Sequence, residues 1–149
     1  MDSSTVNTAR TLTWSGVIPF AALALVSMVA TPPWVELLLV GYGALILSFL
    51  AGTLWTRHLL GERTRPRLLV ASNVLVLLAW PALLMPTSWA SLWLAALFAV
   101  HLLLDEPWRG YGMPGWYRRL RLAVSCTAIA LLLIGGLIGL STGGGASGG

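Results

Sequence analysis

A chain of 149 residues that is 57% hydrophobic and only 9% charged cannot hide its apolar surface within one soluble domain. Its formal net charge of +4 comes from arginines set between apolar runs, where they meet lipid headgroups; no basic stripe lies on a polar module, which excludes nucleic acid as the expected partner. The single cysteine, Cys126, sits inside an apolar run, so no disulfide framework exists.

Five apolar runs follow one another, over residues 13–30, 35–55, 68–84, 89–104 and 120–140. A helix rises about 1.5 Å per residue, so about 20 residues cross a hydrocarbon core about 30 Å thick. The pattern predicts an all-α bundle of five transmembrane helices over 13–140, with a short polar tail over 1–12 and a flexible Gly/Ser tail over 141–149. The first run is expected to stay attached, because Met28 stands where a signal-peptide cleavage site needs a small residue. TPPW joins runs one and two, and MPTS joins runs three and four into a hairpin; Pro19 and Pro81 fall within runs and are expected to kink them.

Arg10 precedes the first run; Arg57, Arg63, Arg65 and Arg67 lie between the second and third. Arg109, Arg118, Arg119 and Arg121 lie between the fourth and fifth or just inside the fifth. With five spans every arginine falls on one side, and the positive-inside rule then puts the amino terminus in the cytoplasm and the carboxyl terminus outside. Tryptophans divide in the same way. Trp14, Trp55, Trp108 and Trp116 fall near the arginine side and Trp34, Trp80, Trp89 and Trp93 near the other, as two interfacial belts.

Candidate functional residues are few. Gly41, Ser48, Gly52 and Trp55 share a narrow sector of the second helix, and Gly135 and Gly139 form a second small-residue pair. Both are expected to be helix-contact faces, chiefly within the bundle. Asn73 is expected to be a buried amide bonded to a neighbouring helix. His101, Asp105 and Glu106 end the fourth run opposite Arg118, Arg119 and Arg121, which predicts a polar cluster paired at headgroup level. Ionisable groups are missing from the middle of every run, which speaks against a proton relay or ion-coupled carrier. Neither catalytic nor metal-ligand spacing is present, so no cofactor or metal is expected.

YGALILSFLAG with Trp55, LLAWPALLMP (77–86), HLLLD (101–105) and PGWYRRLR (114–121) resemble the motifs of domain-of-unknown-function family 3429, small membrane proteins that include the mitochondrial transmembrane protein 69. Where that pattern often carries a glycine and a histidine, Ala51 and Leu54 stand here, and His101 replaces a common glutamine. The resemblance implies a bacterial or mitochondrial inner-membrane setting and no known reaction.

For this chain the leading expectation is a bacterial inner-membrane protein without enzymatic activity, an accessory subunit or assembly factor packed against a larger membrane complex. A small carrier or lipid-handling protein using the arginine-rich face is the first alternative. A lipid-active enzyme using His101, Asp105 and Glu106 is the second. Membrane lipids, and a membrane-protein complex, are the expected partners.

Overall fold

The computed structural model describes residues 3–29, 33–59, 66–105 and 114–143. All elements among them are helical: α1 (Ser3–Ser15), α2 (Val17–Val29), α3 (Pro33–Leu59), α4 (Pro66–Ala79), a 3₁₀ turn (Trp80–Leu84), α5 (Thr87–Asp105) and α6 (Gly115–Gly143). They supply five segments long and apolar enough to cross a membrane: Ser3–Ser27, Trp34–Trp55, Pro66–Leu84, Thr87–Asp105 and Gly115–Ser141. The protein is an all-α, multi-pass membrane protein. Four of the expected runs lie within these segments, and the residues expected as a tail over 1–12 are helical from Ser3 onward. At the other end, α6 runs on to Gly143, and residues 144–149 of the Gly/Ser tail lie outside the described residues.

Proline opens α3, α4, α5 and α6. Pro33 and Pro66 are the first residues of their helices, where a missing amide costs nothing. Pro86 and Pro114 stand just before theirs and lend a carbonyl to the first turn, Pro86 to the Ala90 amide at 2.9 Å and Pro114 to the Tyr117 and Arg118 amides at 3.0 and 3.2 Å.

Within the spans proline has the opposite effect. Pro19 offers no amide to the preceding turn, and the first span is broken at Gly16 between α1 and α2. Pro81 converts the end of the third span into the 3₁₀ turn. Hydrocarbon offers no hydrogen bonds, so a polar side chain on a neighbouring helix that reaches the backbone near such a break is stabilising. Tyr42 on α3 donates its hydroxyl to the Gly16 carbonyl at 2.9 Å. Trp93 on α5 donates its indole Nε1–H to the Leu78 carbonyl at 2.7 Å. Both acceptors lie three residues before the proline, and both donors are the polar tip of an otherwise apolar aromatic.

Packing centres on α5, which buries Ala90, Ser91, Leu94, Ala95, Leu97, Phe98, His101 and Asp105. Its most extensive partner is the antiparallel α6; α3 lies against α2, α4 and α5, and α2 also touches α6. Close approach at two seams needs glycine. A side-chain carbon at Gly136 would stand 2.9 Å from Leu92 and 3.0 Å from the Ser88 carbonyl oxygen, and one at Gly139 would overlap the Ser88 hydroxyl. At Gly43 it would stand 3.1 Å from Leu94 and 3.4 Å from Phe20.

These are not all the glycines expected to pack. A carbon added at Gly41, Gly52 or Gly135 meets no neighbouring atom within 4 Å, so the stripe through Gly41, Ser48, Gly52 and Trp55 is not a seam of this bundle among the described residues. The reason is phase. The face of α3 that is buried runs through Gly43, Leu47, Ala51 and Leu54. At 100° per residue that face lies roughly 115° round the helix from the small-residue stripe. On α6 the glycines packed against α5 are Gly136, one position on from Gly135, and Gly139.

Gly136→Ala is expected to destabilise the protein in detergent by about 1–3 kcal/mol through overpacking against Leu92 and Ser88. Gly135→Ala, with open space around it, is expected to stay within about 0.5 kcal/mol of the unsubstituted protein. Equal unfolding midpoints for the two variants would contradict the α5–α6 contact.

Candidate functional site: a buried ion pair at the end of an apolar cavity

Asp105 is the last residue of α5 and Arg121 stands in the second turn of α6, so the antiparallel pairing of these helices brings them together at the arginine-bearing end. Arg121 Nε donates to Asp105 Oδ2 at 2.9 Å, with the Asp105 side chain fully buried and that of Arg121 9% exposed. A lone charge so placed is costly to desolvate, whereas a paired and hydrogen-bonded one is tolerated.

Around the pair the remaining polar groups form a connected set. Arg121 Nη2 donates to Thr53 Oγ1 on α3 at 2.5 Å, and Nη1 reaches the Tyr117 hydroxyl oxygen, one turn back on α6, at 3.5 Å. Thr53 in turn donates its hydroxyl to the Leu50 carbonyl at 2.7 Å. The same carbonyl lies 3.0 Å from His101 Nε2, so that nitrogen carries the proton and donates. Through these bonds one end of α3, α5 and α6 is held as a unit.

A cavity of about 470 Å³ ends at this cluster. The broken first span contributes Leu12, Gly16 and Phe20 to its wall, α3 contributes Ile46 and Phe49, and α6 contributes Leu120 and Val124. Phe98 of α5, wholly buried, also lines it. Polar side chains on its wall are Thr13, Thr53, Tyr117, Arg121 and Ser125, of which Thr53, Tyr117 and Arg121 belong to the cluster. The space is thus long-chain apolar over most of its wall and hydrogen-bonding where Arg121 stands, which is the division of a lipid-like amphiphile. Nearby, the Arg10 guanidinium lies 5.6 Å from the centre of the Trp116 ring and joins α1 to α6.

The residues expected from sequence fall into three groups. His101, Asp105 and Arg121 come together. Arg118 is half-buried with its Nε making no hydrogen bond among the described residues, Arg119 is exposed, and Glu106 lies outside the described residues. Asn73 corrects its expectation: it is exposed and donates to the Leu69 carbonyl of its own helix at 3.0 Å, because the buried face of α4 runs through Ser72, Leu75 and Ala79. Ser48 likewise bonds within α3, to the Ala44 carbonyl at 2.8 Å, and Trp55 is exposed. Sequence reasoning missed Thr53, Tyr117 and Ser125. Their hydroxyls carry no signal until three helices converge, although Tyr117 stands in the motif PGWYRRLR beside the arginines.

The chain matches the family described as "Protein of unknown function (DUF3429)" over residues 5–137. That stretch contains all the residues of the cluster and the cavity wall. No curated protein and no solved structure matches the chain.

Asp105→Asn and Arg121→Gln are each expected to lower stability in detergent. Together they should cost less than the sum, with a coupling of about 1–3 kcal/mol in a double-mutant cycle. Asp105→Asn with Arg119→Gln is expected to be additive within about 0.5 kcal/mol, since Arg119 is exposed. Additivity for Arg121 would remove the ion pair from the account.

Proposed function

The chain belongs to the DUF3429 family, whose description assigns no activity, and we propose from the geometry of its cavity that it is a lipid-handling membrane protein that holds a single-chain amphiphile. The observation that carries this reading is the union of one apolar space with one buried polar end. A chain entering between the first span, α3 and α6 would lie against Phe20, Ile46 and Val124, and its head would reach Arg121 and Tyr117. Lipid is the natural source of such a molecule, because Leu12 and Phe49 stand on the cavity wall and are also mostly exposed on the outside of the bundle.

The setting proposed for this activity is a bacterial inner membrane. The positive-inside rule then turns the Arg121 end toward the cytoplasm. On that orientation the head of the bound molecule sits near the cytoplasmic interface and its chain points toward the bilayer centre.

Val124→Trp, which fills the cavity from its α6 wall, is the test. Native mass spectrometry of protein released from nanodiscs should show a retained amphiphile on the unsubstituted protein and at least about a tenfold lower occupancy on the variant, at an unchanged unfolding midpoint. Equal occupancy would place the molecule elsewhere and end this reading.

A second reading is favoured by the outward stripe on α3. Gly41 and Gly52 would allow another backbone to approach closely, and no helix of this chain does so among the described residues. An accessory subunit or assembly factor would dock a partner helix there. Gly52→Leu is expected to leave the isolated protein as stable as before, within about 0.5 kcal/mol, while abolishing co-purification with a partner complex. Unchanged co-purification after that substitution would show that the stripe simply faces lipid.

A further inference from the structure

We propose that the molecule held in the cavity carries an uncharged carbonyl head, an ester or a ketone, and that carboxylate- and phosphate-headed lipids are rejected. This rests on the reading of the cavity as an amphiphile site and adds the chemical class of the head.

The first argument is the charge already in place. Arg121 is the cation that lines the cavity among the described residues, and its counter-anion is supplied by the protein, Asp105, at 2.9 Å and wholly buried. An anionic head that bonded the same guanidinium would stand within roughly 5 Å of that carboxylate, at the width of one guanidinium group. Repulsion from Asp105 would then oppose the attraction of Arg121. The desolvation of the incoming anion, large in an apolar cavity, would be offset less than it would be beside an arginine without a built-in carboxylate. A carbonyl loses far less hydration on entry and still receives a charge-assisted hydrogen bond.

The second argument is the direction of the hydrogen bonds that remain. A guanidinium has five N–H groups and no acceptor. Three are directed to Asp105, Thr53 and Tyr117, which leaves two for a guest. Thr53 is used in both senses, since its oxygen accepts from Arg121 and its proton goes to the Leu50 carbonyl. The Tyr117 oxygen faces Arg121 as an acceptor, which leaves its proton to donate. Ser125 on the wall can donate or accept, so donors outnumber acceptors here, and the complement of this end is a group that accepts. An ester or ketone carbonyl meets that condition; an alcohol meets half of it and brings a proton of its own.

The test compares hexadecanoate with its methyl ester at alkaline pH, where the acid is ionised, on the full chain in phosphatidylcholine nanodiscs. Occupancy is read by native mass spectrometry. The ester should bind at least about tenfold more tightly than the carboxylate to the unsubstituted protein. Asp105→Asn removes the built-in anion and leaves the Arg121 charge uncompensated by it, so that variant should reverse the order. If Asp105→Asn fails to fold, the comparison on the unsubstituted protein decides alone. Equal or tighter binding of the carboxylate to that protein would overturn the inference while leaving the amphiphile site standing. Binding of neither probe, or binding of the ester that survives Val124→Trp, would overturn the site itself and the inference with it.

Discussion

The seam between α5 and α6 is fixed at both ends, and the rest of the bundle is arranged around it. At one end Gly136 and Gly139 let the α6 backbone lie directly on Ser88 and Leu92. At the other, the Arg121 guanidinium is fastened to Asp105. Helices in lipid gain nothing from hydrophobic exclusion of one another, so close packing and polar contacts must carry their association. Here the two are separated along one pair of helices. The glycine end sets distance and the charged end sets register, because the buried pair forms only where Asp105 and Arg121 face each other.

The first span owes its form to a different constraint. Pro19 interrupts its hydrogen bonding, and a carbonyl at the interruption cannot turn to water inside a bilayer. Tyr42 from α3 donates to the Gly16 carbonyl at the break, and Trp93 from α5 donates to the Leu78 carbonyl near Pro81. These bonds tie a broken helix to an intact one. The interruption also bears on the site, since Gly16 and Phe20 at the break are part of the cavity wall. One proline thus links local backbone chemistry, a cross-helix hydrogen bond and the space in which a guest would lie.

The cavity and the ion pair explain each other. Arg121 can stand in the second turn of α6 because Asp105, Thr53 and Tyr117 surround its guanidinium with partners. That arrangement uses part of its hydrogen-bonding capacity and leaves the remainder at the end of an otherwise apolar space. The outward stripe on α3 belongs to a separate surface, since its glycines face away from the buried residues Leu47, Ala51 and Leu54.

Spans are legible in sequence because their cause is one-dimensional: about 20 consecutive apolar residues satisfy their own backbone as a helix. The five runs, the proline breaks at 19 and 81, and an acid–arginine cluster between the last two spans all follow from residue order alone. Which face of a helix is buried does not. Every side of a membrane helix is apolar, so the periodicity that reveals the core of a soluble protein is weak here. That is why Gly41, Gly52 and Gly135 looked like packing positions while Gly43 and Gly136 hold them, and why Asn73 is outward. Choosing Arg121 over Arg118 and Arg119 as the partner of Asp105 likewise required the rotation of α6 about its axis. Composition determined the solvent and the number of crossings. Only the convergence of α3, α5 and α6 decided that Thr53, Tyr117 and Arg121, scattered across the chain, meet at the end of one cavity, because a cavity is defined by helix faces turned toward each other and no single helix contains it.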